Sequence, residues 1–417
     1  MQQSGVVLRA GKLSLGAGTG SYRVKASMAR VARAIGIERH EAHVTLTEIT
    51  TTSHRGPSFR TEVAETRNIG INADRLCELE RTISALPADS SVAEVQRELD
   101  RIEAKPPLYG LMLNGLWAGL ACAAFAFLNG GGPVEMVGVF FGAWAGQMLR
   151  RGGIHRGFNQ FGMVMLAALL ACLVYLGFVT ALFSLGAIED QHHAGYVSAV
   201  LFLIPGFPLV TAALDLAKLD FSAGVARMTY AMMILGSAGL SVWGMSTVAG
   251  LSPDPISQYN IGFGLLLVLR LAASFLGVLG FALMFNSGWK MALGAASVGM
   301  VSNTVRIETL EAGLPPQAAA VIAALMVGFL TAWVAPRLRV PRVTVSVPAV
   351  VIMVPGVTLY RAFYTMSNGD TAAALAYAVE AGLVVVSIAI GLAVSRMLTD
   401  RTWAYDTPPL PSPPERS

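Results

Sequence analysis

The chain has 417 residues, of which 54% are hydrophobic and only 13% are charged. An ordinary soluble domain carries roughly 25% charged residues, so the composition argues against a wholly soluble protein. The net charge of +4 is modest, and the arginines cluster in short loops between apolar runs. That pattern is typical of membrane orientation and not of nucleic-acid binding.

The charged residues are concentrated at the start of the chain. Of the 56 Asp, Glu, Lys and Arg residues, 28 fall in the first 105 positions. Residues 1–22 are rich in Gly and Ser, lack the apolar run of a signal peptide, and are predicted to be flexible. Residues 23–105 are predicted to form a small cytoplasmic α+β domain, which the adjacent Pro106 and Pro107 terminate.

The elements of this domain follow from apolar spacing. Helical spacing predicts helices over 24–35, 72–86 and 92–102. Alternation of β-branched residues predicts a strand over 43–47, with 59–66 as its partner across a turn at Gly56 and Pro57. A group of polar residues lies in the same region: His40, Glu41, His43, Glu48 and His54. We interpret this group as a solvated strand surface in preference to a metal site.

The rest of the chain is predicted to lie in a membrane. A bilayer requires roughly 20 apolar residues per helix, and ten such spans are predicted: 109–128, 133–149, 161–185, 196–217, 224–249, 261–285, 290–305, 317–335, 343–366 and 372–395. They divide into a first repeat over 106–250 and a second over 251–398. Residues 399–417 are predicted to form a Pro-rich cytoplasmic tail.

Two Pro–Gly pairs interrupt the fourth and ninth spans. Pro205-Gly206 and Pro355-Gly356 lie 150 residues apart in apolar runs. Breaks in lipid persist only where protein or a cavity satisfies the freed backbone, and a matched pair points to a transporter's substrate site. Because five spans per half is an odd number, the second half enters the membrane in the opposite sense. The predicted fold is therefore an α-helical polytopic membrane protein of two inverted five-helix repeats with an α+β head; the alternative is two kinks that serve packing alone.

Loop charges predict the orientation. Loops 150–156 and 337–342 are basic, whereas Glu189, Asp190 and Asp254 lie in the connections assigned to the other side. The positive-inside rule then places both termini in the cytoplasm and the protein in the inner (cytoplasmic) membrane as a multi-pass chain.

The chain resembles the threonine/serine exporter family. The resemblance covers nearly the whole chain through motifs in the same order: MARVARAIG (28–36), NIGINADRL (68–76), IPGFPLVTAALDL (204–216), GVAR (224–227), GMVSNTVR (299–306) and VPGVTLYR (354–361). It implies a secondary exporter of small polar amino acids. In this family the halves also occur as separate proteins linked to dicarboxylate export, and their fusion here favours amino acids.

Ionisable residues inside spans are candidates for the transport path, because each needs a partner or a cavity. Arg270 and Glu380 are predicted at similar depth from the outer side, as a gate, a proton-coupling pair or a structural salt bridge. Asp215 and Arg227 are predicted at the inner ends of their spans, as a cytoplasmic gate or as turn-capping charges. The candidate substrate-binding residues are Pro205, Gly206, Thr211, Asp215, Arg227, Asn303, Arg306, Pro355, Gly356 and Arg361.

If the substrate is a zwitterionic amino acid, the candidate residues can be matched to its carboxylate, ammonium and hydroxyl groups. Arginine or a half-helix N-terminus would hold its carboxylate. Asp215, Glu380 or backbone carbonyls would hold its ammonium, and Gln147, Thr211 or Ser302 would meet a side-chain hydroxyl.

The sequence predicts no catalytic residue, metal or cofactor. Neither a Walker A motif nor a Gly-x-Ser-x-Gly motif occurs. The predicted partners are a small molecule (threonine or serine) and the lipid bilayer, without nucleic acid, and homo-oligomerisation is left open. Three alternatives also remain open: a dicarboxylate exporter, a membrane-bound hydrolase coupled to a channel, and a simple channel.

Overall fold

Helices dominate the protein. The computed structural model describes residues 2–66, 69–188, 195–250 and 261–404, and it is 76% helical with one small sheet near the N-terminus. The predicted acidic loop residues Glu189, Asp190 and Asp254, and most of the predicted tail, lie outside the described residues.

The N-terminal part, called the head below, contains α1 (Gln2–Gly16), α2 (Ser21–Ala34), β1 (Arg39–Val44), β2 (Glu48–Arg55), β3 (Ser58–Glu65), α3 (Ala73–Ala85) and α4 (Val92–Ala104). The three strands form an antiparallel sheet in the order β1-β2-β3. Its core joins Met28 of α2, Ile49 of β2 and Leu99 of α4, which are at most 1% exposed. The three predicted head helices are thus present as α2, α3 and α4, and their apolar faces build one core.

Local capping explains where two of these helices begin. Asn72 accepts a hydrogen bond from the N–H of Arg75 at the start of α3. Ser91 and Glu94 form a reciprocal capping box at the start of α4. Both arrangements satisfy N–H groups that the first helical turn leaves unpaired.

Two predictions for the head differ from the structure. Residues 2–16 form α1, and not a flexible start, because Val7 and Ala10 are fully buried against the rest of the head. The strand at 59–66 does not pair with the strand at 43–47, because β2 lies between them and pairs with both. The turn at Gly56 and Pro57 is present and joins β2 to β3.

The membrane body follows in two halves. The first contains α5 (Leu111–Leu128), α6 (Pro133–His155), α7 (Gln160–Ser184), α8 (Tyr196–Ala199) with a 3-10 turn (Leu201–Leu203), α9 (Gly206–Ala217) and α10 (Phe221–Ala249). The second contains α11 (Phe263–Met284), α12 (Trp289–Glu311), α13 (Pro316–Leu338), α14 (Arg342–Val351), α15 (Gly356–Ser367) and α16 (Thr371–Thr399), and the short α17 (Arg401–Ala404) ends the described chain.

Six described helices are long and apolar enough to cross a membrane: α5, α7, α10, α11, α13 and α16. The number rises to eight if each of two bent helix pairs counts as one span. Helices α6 and α12 have 23 residues each but are less apolar, because polar residues such as Gln147 and Asn303 occur in their second halves. The structure therefore supports six to eight spans, and the ten predicted spans stay a prediction.

Helix packing follows the same order in both halves. Helix α6 packs between α5 and α7, and α12 packs between α11 and α13. Helix α10 packs on α7 and α9, and α16 packs on α13 and α15. The halves meet where α5 contacts α11 and where α9 contacts α14 and α16. The face of the body that contacts the head is called the head side below, and the opposite face the far side.

Candidate functional site

Both predicted breaks are present, and they have the same backbone geometry. Pro205 has φ −78° and ψ 54°, and Pro355 has φ −79° and ψ 66°. At each break the glycine that follows donates its N–H to the carbonyl two residues earlier, at 2.8 Å, which makes an inverse γ-turn centred on proline. The helices bend there by 51° and 47°. The two halves thus break their fourth helix in the same way.

The breaks pack closely against the opposite half. A Cβ added to Gly356 would lie 2.0 Å from a side-chain carbon of Ile204 and 2.8 Å from one of Leu201. A Cβ added to Gly206 would lie 3.1 Å from two methyl carbons of Val351. A side chain at position 356 would therefore require the ends of the Ile204 and Leu201 side chains to shift, and one at position 206 would require a smaller shift of Val351.

A cavity of about 370 Å³, including its open mouth, lies between the breaks and α10. Its lining is apolar except for the phenol of Tyr360. The Tyr360 hydroxyl lies 3.0 Å from that of Tyr196, and both residues are buried. Sequence reasoning missed this pair, although Tyr360, five residues after the second break at Pro355, was a visible signal. The cavity has no charged lining residue, so it offers no direct partner for a carboxylate or an ammonium group.

Asp215 and Arg227, predicted at the inner ends of their spans, form an ion pair on the head side of α9 and α10. Arg227 Nε lies 3.3 Å from Asp215 Oδ2, and the two side chains are 4% and 0% exposed. Because α9 and α10 are antiparallel neighbours joined by a short turn, their facing ends bring the two charges together.

Residues of the head complete this pair. The backbone N–H of Ser21 donates to Asp215 Oδ1 at 2.9 Å, and Arg227 Nη2 donates to the carbonyl of Thr19 at 3.3 Å. Asp220, in the turn between α9 and α10, accepts a hydrogen bond from Ser21 Oγ at 2.7 Å and pairs with Lys25. We call residues 19–25 the head strap.

The head also holds the turn between α11 and α12. The N–H of Ala73 donates to the carbonyl of Phe285 at 3.0 Å. The Asn286 side chain donates to Asn72 at 2.8 Å and accepts from the N–H of Leu108 at 2.8 Å. The head is thus bound to the head-side ends of both halves.

The predicted pair of Arg270 with Glu380 is wrong. Arg270 Nη1 instead donates to Glu308 at 2.8 Å and also pairs with Glu311, and no ion pair joins it to Glu380 among the described residues. The reason is topological: α11 and α12 are antiparallel neighbours, so the start of one meets the end of the other. Arg270 and Glu380 were predicted to pair because they lie at similar depths, but similar depth does not make α11 and α16 neighbours.

Asn303 and Arg306 are brought together on the far side of α12. Arg306 Nε donates to Asn303 Oδ1 at 3.0 Å, and Asn303 Nδ2 donates to Ser274 Oγ of α11 at 2.9 Å. The asparagine and Ser274 are fully buried. The amide therefore links the guanidinium to the neighbouring helix.

The same arrangement recurs on the head side of α6. Arg150 Nη1 donates to Gln147 Oε1 at 3.4 Å, and Gln147 Nε2 donates to Asn114 Oδ1 of α5 at 2.8 Å. Sequence reasoning missed Arg150, which it treated only as loop charge. The available signal was a separation of 156 residues, both between Gln147 and Asn303 and between Arg150 and Arg306.

The other predicted site residues are less informative. Thr211 is buried, and its hydroxyl donates to the carbonyl of Phe207 in its own helix at 2.9 Å. The hydroxyl of Ser302 is buried and has no hydrogen-bond partner among the described residues. Arg361 and Glu380 are half-buried, and neither forms an ion pair in the described part of the chain.

The polar residues predicted around His40 and His43 do not form a cluster of metal ligands in the described structure. His40 lies opposite Ser53 in the sheet, with 3.0 Å between Nδ1 and the serine Oγ, and burial lowers the pKa of its imidazole. Among the residues that the structure describes, no group of three or more His, Cys, Asp or Glu side chains is placed to hold a metal ion.

Comparison with known proteins decides the family. A family model described as "Putative threonine/serine exporter" matches residues 5–249, and a second, "Threonine/Serine exporter, ThrE", matches residues 270–398. The chain belongs to the threonine/serine exporter family. The resemblance predicted from the motifs is thereby confirmed, and the protein is a membrane transport protein by family.

Individual relatives fall into two groups. A threonine/serine exporter of Corynebacterium glutamicum is 24% identical over 94% of this chain and 81% of its own length. Proteins called "Probable succinate transporter subunit YjjP" from Klebsiella aerogenes and Escherichia coli are 26% and 25% identical, over 56% and 57% of this chain and 89% and 93% of their own lengths. No solved structure matches the chain significantly.

Proposed function

We propose that this family member exports threonine and serine across the inner (cytoplasmic) membrane, by alternating access around the two proline breaks. The observation that carries the proposal is the matched geometry of Pro205 and Pro355, which lie where the two halves meet. Broken helices enclosed by protein recur at the substrate sites of secondary transporters. Similarity to the Corynebacterium exporter over 94% of the chain supports amino acids as the substrate class.

In this proposal the body crosses the membrane ten times. Each half contributes three straight helices, one bent pair and a long final helix. The repeated packing order of the two halves supports this division. Because five crossings per half is an odd number, the second half runs in the opposite direction, and the halves form an inverted repeat.

The head side is proposed to face the cytoplasm. The basic segments 150–156 and 337–342, predicted as loops, include the last residues of α6 and α13, and these helix ends lie on the head side in the ten-span arrangement. Basic loops stay on the cytoplasmic side of a membrane. Head and C-terminus then both lie in the cytoplasm.

Asp215 and Arg227 are proposed to gate the cytoplasmic side. Their ion pair is buried, and the head strap covers it, so opening toward the cytoplasm requires the strap or the pair to move. Glu380 is proposed to couple export to the proton gradient, because a half-buried carboxylate within a span can carry a proton between the two sides.

Counterflow in proteoliposomes tests the proposal. Vesicles that contain the purified chain and unlabelled threonine should accumulate labelled threonine and serine faster than empty vesicles, and an imposed pH gradient should drive net transport. Absence of exchange for both amino acids would overturn the proposed substrate.

A dicarboxylate such as succinate is the second candidate. Its support is the similarity of 56% and 57% of this chain to the two succinate transporter subunits. The same vesicles loaded with succinate decide between the candidates, because amino-acid export predicts little labelled succinate uptake.

A further inference from the structure

Helices α6 and α12 are equivalent in the two halves, and each carries an arginine at the same position. Arg150 lies five residues before the end of α6, and Arg306 lies five residues before the end of α12. Five residues correspond to about 7.5 Å of helix. Since α6 ends on the head side and α12 on the far side, the two arginines lie at similar depths from opposite faces.

The two arginines are also held in the same way. In each case an amide three residues earlier accepts a hydrogen bond from the guanidinium and donates one to the preceding helix. The amides fix the direction of the guanidinium groups, but they are neutral and do not compensate the charge.

Neither arginine has an anionic partner within the described part of the chain. The carboxylates nearest to Arg306 along α12, those of Glu308 and Glu311, are both bound by Arg270. Arg150 Nε is buried and has no hydrogen-bond partner among the described residues. Cations in a membrane interior are normally paired, so each unpaired arginine calls for an anion from outside the chain.

We propose that Arg150 and Arg306 are the inner and outer carboxylate-binding sites of the transport path. The inference rests on the proposed alternating-access export and deepens it. Each guanidinium holds the carboxylate of the substrate through charged, directional hydrogen bonds while the path is open to its own side. The cavity between the breaks lacks a charged lining residue, so the cavity itself offers no cation for a carboxylate, whereas α6 and α12 each supply one. In this proposal α6 and α12 line the transport path, which explains why they are less apolar than the other long helices.

The test compares Arg150→Gln and Arg306→Gln with two control variants. Arg151→Gln removes the neighbouring charge on α6, and Arg337→Gln removes an arginine that packs on Trp333 at the end of α13.

Transport of labelled threonine is measured in inside-out and right-side-out membrane vesicles. Arg150→Gln should raise KM at the cytoplasmic face, and Arg306→Gln at the outer face, by about 10- to 100-fold, the range expected for loss of a charged hydrogen bond. The controls should change KM by less than about twofold, as for charges outside the site.

Threonine amide identifies the group that is recognised, because it keeps the ammonium and hydroxyl groups but lacks the carboxylate. The wild-type protein should prefer threonine over the amide as a competitor at both faces. Arg150→Gln should abolish that preference at the cytoplasmic face alone, and Arg306→Gln at the outer face alone. An unchanged preference in both variants would overturn the inference.

Failure of the proposed substrate is distinguishable from failure of the inference. If vesicles carry succinate and not threonine, amino-acid export is wrong, and the same variants are tested with succinate against its diamide. If no solute is transported, the full-length protein in detergent is heated with threonine or succinate. A carboxylate-dependent rise in Tm that the double variant loses supports the inference, and the absence of any rise in the wild-type protein overturns it.

A structural role for the arginines gives a different result. Removing an unpaired cation should leave Tm unchanged or raise it, whereas Arg270→Gln leaves Glu308 and Glu311 without their partner and should lower Tm. A fall in Tm for Arg150→Gln or Arg306→Gln as large as that for Arg270→Gln would overturn the inference.

Discussion

The backbone N–H of Ser21 in the head donates to Asp215 Oδ1 in the membrane body at 2.9 Å, across 194 positions of sequence. This bond ends the chain of contacts that runs from Arg227 through Asp215 to the head strap. The head is therefore attached directly to the ion pair proposed as the cytoplasmic gate, and the proposal predicts that movement of the gate is coupled to docking of the head.

Ser21→Pro should weaken this docking without disturbing α2. Ser21 is the first residue of α2, where proline is tolerated, and Gly20 before it has φ −68° and ψ 157°, which suits a following proline. Loss of a hydrogen bond to a carboxylate costs about 1.5–3 kcal/mol. Hydrogen exchange in the full chain should then become faster at Ala73 and Asp74, whose N–H groups bond to the α11–α12 turn.

Ser21→Ala is the control for this prediction. It removes the hydroxyl that bonds to Asp220 but keeps the N–H that bonds to Asp215. Equal exchange rates in the two variants would show that the backbone bond contributes nothing to docking.

Asp215→Asn should destabilise the protein strongly. It leaves Arg227, whose side chain is 4% exposed, as a buried cation without its partner, and breaking a buried pair costs about 3–5 kcal/mol. The double variant with Arg227→Gln should recover much of that loss, as read from Tm.

If the pair is also the gate, the recovered double variant will lose control of the cytoplasmic side and leak threonine from loaded vesicles. A stable double variant with normal, coupled export would show that the pair is only structural.

Much of the architecture was predictable because its signals are local. Proline and glycine within an apolar run identify the breaks at Pro205 and Pro355, and apolar stretches locate the helices around them. Helix α1 was missed because a Gly- and Ser-rich composition hides the spacing of Val6, Val7 and Ala10, which becomes meaningful only in a packed head.

The errors at the site come from tertiary relations. Arg270 and Glu380 share a depth, but depth along a helix does not say which helices are neighbours, and the neighbour of α11 is α12. The likeness of Arg150 to Arg306 was hidden because the repeat offset is 156 residues in α6 and α12 but 150 at the breaks. A connection of different length before the fourth helix shifts the register, and the helix ends of the structure were needed to find it.

Pro355→Ala with Gly356→Ala should abolish transport while the protein still inserts. Alanine favours a continuous helix through the break, and its Cβ at position 356 would overlap the side chain of Ile204. The matched control is Pro336→Ala, which removes a proline inside α13 where the helix continues. Threonine counterflow is measured after membrane content is equalised. Normal counterflow in the first variant would mean that the break at Pro355 has no part in transport.

Glu380→Gln should uncouple export from the proton gradient and leave stability nearly unchanged. Glu380 is half-buried and forms no ion pair among the described residues, so removing its charge leaves no partner behind. We therefore expect the free energy of unfolding to change by about 0.5 kcal/mol or less, as for substitutions that break no buried contact. Counterflow of threonine at equal pH should persist, because exchange needs no net proton movement, whereas net export driven by a pH gradient should fall to the rate seen without a gradient.

Glu308→Gln is the control, since that carboxylate already binds Arg270, and its pH-driven export should follow its counterflow rate. Equal loss of counterflow and of driven export in Glu380→Gln would assign Glu380 to substrate binding, and normal driven export would remove it from the transport mechanism.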